Sequence, residues 1–593
     1  MSQLPILPDT NPSRAVLDSF RISIAKRLSE TLPLTLEQAF AGVDYGKKGE
    51  DFTVALPRFR LPGKVAEIAA TVLEGFQPDE WIESIVIDRS FLHFRVNTTN
   101  MIFQVLNQVD ALTHLTPSGQ PEYGSNDSGK GKRVVIEYSS PNIVKEFHLG
   151  HLRSTIIGAF LANLYKACGW EVISMNYLGD WGTQFGMVAT GYEKYGSQAE
   201  FDQDPIMHLY NVYVKVTKDL ETDPKDGDED VLKKWRSWRE TSLEKYQEAY
   251  DQLNIKFDVY TGESNVSKES MDKAFAQLED MGLISDRDFA KEVDLNKWNL
   301  KAPIILTTYP DGTSMYLTHD IGGAMERYEQ YKFDKMIYVV GAAQDFHLAQ
   351  VFKVLELMGF PWAKNLLHIN YGMVQGMSTQ KGTAVFLDQI IKKAGNVMHE
   401  QMKKNDEKYA VIQDPQVTSL EIGIMGIKIQ DMAAKWFVSI LLSSPSLSDF
   451  VVNGLYGSSR INDYTFNWDR MLSFEGDTGP YLQHKNPQLL PLPPTLQIAT
   501  HTLAQYPNAR EIAFLLGTYP DVVNIALKTH EPSGVVTFAF KLVHAILTAW
   551  DRVIVKGEED VEKASAKMFL YECAKEVLAA AMHLLSIRPL ERM

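Results

Sequence analysis

Residues 137–155 read Glu137-Tyr-Ser-Ser-Pro-Asn142-Ile-Val-Lys145-Glu-Phe-His148-Leu-Gly150-His151-Leu-Arg153-Ser-Thr155. The apolar run Val134-Val135-Ile136 enters this stretch as a buried strand, and helical spacing begins near His151. A second strand follows at Glu171 to Tyr177, so 134–177 has the pattern of a βαβ unit from a doubly wound parallel sheet. Such sheets bind ligands in the crevice at the carboxyl ends of their strands, which is where the quoted loop falls. Free backbone N–H groups and the positive end of the helix dipole favour phosphate there. His148 and His151 are three residues apart and can share one side of the helix start. Gly150 between them has no Cβ and lets the backbone approach a nucleotide closely. Displacement at the α-phosphate of ATP builds negative charge on the phosphorus oxygens and the leaving pyrophosphate. Two imidazole donors, with Lys145 as a fixed positive charge, would stabilise that charge without reorganisation. Two histidines that merely cap a helix are the plainer alternative. The strand before them, the polar loop and Gly150 argue for the phosphate.

Outward from this unit, strand-like segments return at Ile304–Thr308 and Met336–Val340, with a helix at 321–331 between them. Residues 190–290 carry long polar helices and read as an insertion between two halves of one sheet. Their acidic tract at Asp223–Asp230 reads as a solvated loop. From about 415 the chain is mostly helical, with periodic segments at 419–434, 511–528, 534–554 and 559–585. The first 120 residues form a small α+β unit, with helical spacing at 13–31 and 64–76. Alternation at Ile85–Ile87 and Phe91–Val96 predicts a hairpin. The glycine-rich linker Pro117–Lys132 closes that unit. The expected fold is α/β plus all-α. It has an α+β unit at 1–120, a Rossmann-type nucleotide-binding domain at 126–410 with a helical insertion at about 190–290, and a helical bundle at 411–593.

Bulk properties agree but decide little. A length of 593 residues suits three or four domains. Cys168 and Cys573 are the only cysteines, which excludes a disulfide framework and fits a reducing compartment. No apolar run approaches the ~18 residues that span a bilayer, and no signal pattern opens the chain, so a cytoplasmic protein without a membrane is expected. Asp9 and Asp18 among Arg14 and Arg21 argue against a mitochondrial presequence, though an alternative start could supply one. A net charge of −16 is the wrong sign for coating nucleic acid nonspecifically, yet local basic surface still permits a folded RNA partner.

The string SSPNIVKEFHLGHLRSTIIG resembles the first signature of class I aminoacyl-tRNA synthetases, and of the arginyl-tRNA synthetase family in particular. NYLGDWGTQFG at 176–186, YLTHDIGGAMERY at 316–328, GMVQGMSTQKG at 372–382, SFEGDTGPYLQ at 473–483 and the terminal RPLERM agree in order. The wording is most similar to eukaryotic, fungal members. The resemblance implies an arginine-tRNA ligase that takes ATP, L-arginine and arginine tRNA, with Mg2+ arriving with ATP and no protein metal ligands. It implies an arginine pocket of Glu137, Ser140, Asn142, His151, Tyr316, Asp320 and Gln344, with Tyr316 and Asp320 facing the guanidinium. A planar cation with five donors calls for carboxylates in fixed geometry. Asp320 could also be the N-cap of a helix from Ile321, and Tyr316 a buried aromatic on a strand. ATP would meet His148, Gly150, His151, Met377, Ser378 and Lys381, with Lys145 assisting catalysis. Gln380 stands where fungal members have arginine, which leaves that contact open. Toward tRNA the resemblance implies Phe91, Tyr481 and Gln483, with the helical part reading the anticodon. Phe91 either stacks on an unpaired base or is buried. A monomer is the expectation. Two other classes stay open: a synthetase-like RNA-binding protein without catalysis, and a small-molecule nucleotidyltransferase. Intact Glu137, His148, His151 and Asp320 oppose the first, and the extra terminal domains oppose the second.

Two segments depart from the family. Relatives run from a helix like Gln430–Lys435 straight into Arg460–Tyr464, whereas apolar, serine-rich residues 436–459 intervene here. Residues 484–509 replace a tRNA-facing helix and hold five prolines, which forbid a continuous helix. They are either lineage-specific loops or, as favoured here, a retained intron and a shifted reading frame. If the chain is made as written, a damaged anticodon-binding part beside a surviving ATP site is expected. Sequencing the transcript across both junctions decides: an mRNA lacking 436–459 and reading differently over 484–509 is expected, and one encoding both in frame contradicts it.

Overall fold

The computed structural model describes residues 4–5, 7–8, 10–46, 49–74, 76–114, 116, 121–143, 147, 149–181, 188, 191–205, 207–209, 211–212, 215, 229–287, 290–293, 295–300, 304–307, 316–372, 374–375, 387–404, 409–410, 412–433, 464–465 and 498–590. Most of the two departing segments therefore lies outside the described residues.

The N-terminal unit pairs strands β1 (Val43–Tyr45), β2 (Phe52–Ala55), β3 (Ile82–Asp88) and β4 (Phe91–Val96) in an antiparallel sheet of order β1-β2-β4-β3. The expected hairpin is β3–β4, with Asp88 opposite Phe91 across the turn Arg89-Ser90. Alternation sends Leu92, Phe94 and Val96 inward and Phe91, His93 and Arg95 outward. Helices α1 (Leu17–Thr31) and α2 (Thr98–Thr113) supply Phe20, Ile24, Leu28, Ile102 and Val105 to the same core.

Next comes a five-stranded parallel sheet of order β12-β11-β5-β6-β7. Its strands are β5 (Arg133–Glu137), β6 (Glu171–Leu178), β7 (Val259–Gly262), β11 (Lys335–Gly341) and β12 (Leu366–Tyr371). Helix α3 (Leu149–Ala167) links β5 to β6, and α4 (Glu229–Gln252) precedes β7. Val134, Val135 and Ile136 are fully buried, as strands covered on both faces must be. The chain proceeds from β5 outward through β6 to β7, then crosses to β11 on the other side of β5. The switch point of the sheet therefore lies between the ends of β5 and β11.

Two expectations are corrected here. The segment 190–290 is not purely a helical insertion, because β7, an edge strand of the central sheet, lies within it. Val259, Tyr260 and Thr261 are only partly buried, and the strand carries no apolar run to read. The strand expected at 304–308 does not join the central sheet. It is β10 (Ile304–Thr307), antiparallel to β9 (Ala290–Val293), which pairs with β8 (Ile284–Arg287). An apolar run reports burial, not the partner it pairs with. Helices α5 (Lys268–Asp280), α6 (Tyr316–Tyr331) and α7 (Asp345–Leu357) complete this region.

Helices α8 (Leu387–Met402) and α9 (Pro415–Met432) lead toward the C-terminal bundle of α10 (Pro507–Gly517), α11 (Tyr519–Thr529), α12 (Ser533–Trp550) and α13 (Val561–Leu584). Residues 498–509 are packed rather than loose: Leu503 and Ala509 are buried, and Pro507 opens α10, where its missing N–H costs nothing. The expectation that no apolar stretch could span a bilayer also needs correction. Helix α12 is long and apolar enough by length and composition, and was missed because Ser, Gly, Thr, Lys and His interrupt the run. Its Phe538, Leu542, Val543 and Ile546 are buried in the described core.

The N-terminal sheet is tied to the bundle by a buried ion pair between Asp51 and Arg510, which lie 2% and 8% exposed. Asp51 also accepts from Val96 N at 2.8 Å, and Arg510 Nε donates to Thr98 Oγ1 at 3.0 Å. Tyr123 Oη donates to Leu516 O at 2.9 Å nearby. Arg510→Met leaves the Asp51 charge buried without its cation and is expected to cost about 3–5 kcal/mol in chemical denaturation. A loss below about 1 kcal/mol would show that the pair does not hold the junction.

Candidate active site

The site begins where β5 stops. After Glu137 the chain turns through Ser139 (φ 71°) and Ser140 (φ 45°), left-handed values that cost a non-glycine residue roughly 1 kcal/mol or more each. Side chains from the downstream helix hold the turn. Ser139 N donates to Ser154 Oγ at 2.9 Å, and Thr155 Oγ1 donates to Ser139 Oγ at 2.7 Å. Tyr250 Oη on α4 meets Ser139 Oγ at 2.7 Å and accepts from Asn176 at 2.9 Å. Tyr177 N donates to Ser140 Oγ at 3.3 Å. The Ser-Ser and Ser-Thr pairs flanking the signature thus interlock.

Asn142 then bridges in parallel to Gly179 at the end of β6. A Cβ on Gly179 would lie 2.0 Å from Asn142 Oδ1, so a larger residue there would force the Asn142 side chain to move. Tyr246 Oη donates to Asn142 O at 2.7 Å. Helix α3 begins at Leu149, so Gly150 and His151 occupy its first turn. His151 is partly buried, its ring 5.6 Å from that of Phe147. His148 and Lys145 lie outside the described residues, as do Met377, Ser378, Lys381, Tyr481 and Gln483.

The carboxylates of the crevice's acidic side, Glu137, Asp180, Glu263 and Asp320, lie among the described residues. Glu137 is buried and pairs with Arg327 at 2.8 Å, while that guanidinium lies 4.4 Å from the centroid of the Tyr177 ring. Burial pushes the Glu137 carboxyl up and Arg327 opposes the shift. Burial pulls Arg327 down, but Glu137 beside it holds it above its ordinary value, so the cation persists. Asp320 is part-buried and its Oδ2 lies 2.5 Å from His347 Nε2. Helix α6 starts at Tyr316, so Asp320 lies inside the helix and the N-cap reading fails; Tyr316 opens a helix, not a strand. Met315, directly before Tyr316, is not a capping residue type, so the sequence did not mark that earlier start. Gln344 ends a short turn after β11 and is exposed at the switch point.

Three residues that the sequence reading passed over complete this wall. Asp180, fully buried after β6, accepts from Arg239 Nε at 2.6 Å, and from Ser264 N and Oγ at 2.9 Å each. Arg239 is thereby placed beside the crevice. Glu263 follows β7, and its carboxyl is pushed up to about 7 by burial, then by Asp320 and Asp180. Asp180 lies inside the family-like string NYLGDWGTQFG, whereas Arg239 and Glu263 fall in the segment read as insertion. The arrangement gathers carboxylates along one side of the crevice, with His347 against Asp320.

On the N-terminal sheet, Phe91 is 42% exposed and its ring stacks 6.2 Å from that of His93. The buried alternative for Phe91 is thereby overturned, since its strand turns that face to solvent.

Comparison with known proteins agrees with this geometry. The model of tRNA synthetases class I (R), catalytic domain, matches residues 118–440, and the DALR anticodon binding domain matches 493–593. The chain is 42% identical over 619 residues to the cytoplasmic arginine–tRNA ligase of Saccharomyces cerevisiae, covering 99% of this chain and 97% of that one. It is 40% identical to the probable cytoplasmic arginine–tRNA ligase of Schizosaccharomyces pombe, covering 100% and 97%. In fold it resembles the arginyl-tRNA synthetase of Plasmodium falciparum, with a TM-score of 0.72 at 20% identity over 98% of this chain and 99% of that one. The Thermus thermophilus arginyl-tRNA synthetase gives 0.70 at 19% identity over 98% and 100%. With the signature turn at the switch point and carboxylates beside it, the chain belongs to the arginyl-tRNA synthetase family of class I ligases.

Proposed function

We propose that this chain activates L-arginine with ATP to arginyl-adenylate and transfers the arginine to the 3′ end of arginine tRNA. The observation that carries the reading is the carboxylate wall of Asp320 and Glu263 beside the signature turn, a site shaped in charge for a guanidinium. Arginine lies across the switch point, with its amino-acid end at Glu137, Ser140, Asn142 and His151. Gln344 closes that end from β11. Its guanidinium faces Tyr316, Asp320 and Glu263, where planar bidentate pairing discriminates against lysine. The arginine carboxylate oxygen attacks the α-phosphorus of ATP and pyrophosphate leaves. His148, His151 and Lys145 stabilise the charge that develops, at the start of α3 where the helix dipole helps. A terminal ribose hydroxyl of tRNA then attacks the arginyl carbonyl carbon, and AMP departs.

Met377, Ser378, Lys381 and the Gly150 backbone complete the ATP site. Magnesium would arrive with the ATP phosphates and supply positive charge there. Exposed Phe91 stacks on an unpaired base of the tRNA, while Tyr481 and Gln483 meet it from the C-terminal half. Residues 1–120, 126–410 and 411–593 then divide the work into tRNA body, chemistry and anticodon. The protein acts as a cytoplasmic monomer.

Arginine-dependent ATP–pyrophosphate exchange, with tRNA present, tests the assignment; exchange driven by another amino acid instead overturns it. Asp320→Asn is expected to raise the KM for arginine about 100-fold. Glu263 binds a cation only when ionised, so the KM for arginine should fall as pH rises through about 7. Folding favours the protonated Glu263, so this group's contribution to stability runs the other way and is lost as pH rises from its ordinary value to about 7. Glu263→Gln should raise KM and flatten its pH profile. A KM unmoved in both variants contradicts the pocket.

A further inference from the structure

Lys428 lies in α9 with 1% exposure, and the chemistry above does not use it. Its ammonium donates to Leu253 O, just past the end of α4, and at 2.8 Å to Ser586 O, just past the end of α13. Those two carbonyls belong to elements that share no sequence neighbourhood: one ends the strut beside the active site, the other ends the C-terminal bundle. Ser586 itself sits in a left-handed turn (φ 57°), which presents its carbonyl away from the helix. Burial pushes the ammonium down to about 7, with Glu421 opposing and Arg588 adding to the shift. A group so expensive to bury is retained only where its hydrogen bonds answer for it.

What α4 touches gives the contact its meaning. From its C-terminal half, Tyr250 and Tyr246 brace Ser139 and Asn142 at the signature turn. From its N-terminal half, Trp235 Nε1 donates to Asp180 O at 2.7 Å and Arg239 pairs with the Asp180 carboxylate. Helix α9 grips the signature helix as well. Asp431, one turn beyond Lys428, pairs with Arg153 Nε at 2.9 Å, both side chains being buried. Arg153 in turn donates to Gly372 O at 2.6 Å. Asn163 on α3 donates to Ser586 Oγ at 3.0 Å, closing the circuit.

We infer that Lys428 is a positioning residue that fastens the end of the C-terminal bundle to helix α4, so that the bundle sets the geometry of the signature turn. It touches no substrate and acts only through α4. A merely structural lysine would lower stability and leave the kinetics of folded molecules alone.

The test uses the full chain, with tRNA charging, tRNA binding and thermal unfolding measured on the same preparations. Lys428→Met keeps the length of the stem and removes the donor. It is expected to lower kcat for charging about 10-fold per folded molecule, while the Kd for tRNA changes less than about twofold. Lys428→Arg, which restores a buried donor, should recover much of the loss. Should Lys428→Met fail to fold, Arg588→Ala decides. That side chain is half-exposed and pairs with Glu421 at 3.1 Å, so its removal loosens the same chain end without burying a charge. A kcat lowered about two- to fivefold supports the inference. A folded Lys428→Met with parental kcat, or an Arg588→Ala with parental kcat where the first cannot be made, overturns it.

Discussion

Everything in the catalytic half hangs on the left-handed turn at Ser139 and Ser140. A parallel strand ending in ordinary extended backbone would carry the chain past the switch point. The turn instead folds it back, so that Asn142 reaches Gly179 and α3 starts beside the crevice. Serine is a poor residue for those φ values, so the conformation must be imposed from outside. Ser154, Thr155 and Tyr250 impose it with three short hydrogen bonds. Strain stored at the site is thereby balanced by bonds from two helices, α3 and α4.

Charge is organised on the same plan. A net charge of −16 spread over a surface says nothing about a cationic ligand. Four carboxylates gathered behind one crevice do. Glu137 and Asp180 are spoken for by Arg327 and Arg239, which leaves them as rigid walls. Asp320 and Glu263 face each other's field, and the Glu263 carboxyl is raised first by burial and then by the charges of Asp320 and Asp180. On the proposed reading, a guanidinium entering the pocket offsets this negative charge, which an uncharged side chain cannot do.

How much of this could be read from the chain depended on the range of the interaction concerned. Local patterns were legible: the apolar run of β5, the alternation of β4 and the signature turn each state their structure within a few residues. The outward placement of Phe91 follows from alternation alone. Long-range pairing was not. β7 is short, lacks an apolar run and lies at the sheet edge, so nothing in Val259–Gly262 announces a central-sheet strand. With β7 went Glu263, whose carboxyl feels burial and the charge of Asp320 only once the fold brings distant segments together. β10 has the apolar run of a central strand and pairs with β9 instead. Buried charges fared no better: Arg153, Arg327, Arg510 and Lys428 look like surface residues until the partner is known. Family resemblance supplied Asp320 where spacing had offered a cap.

The central claim is that arginine lies across the β5–β11 switch point with its guanidinium between Asp320 and Glu263. A crystal structure with a non-hydrolysable arginyl-adenylate analogue tests it most directly. The account requires the phosphate mimic at the start of α3 and both carboxylates within hydrogen-bond distance of the guanidinium, with Glu137 still paired to Arg327. A guanidinium turned to solvent, or one that displaces Arg327 from Glu137, would contradict it.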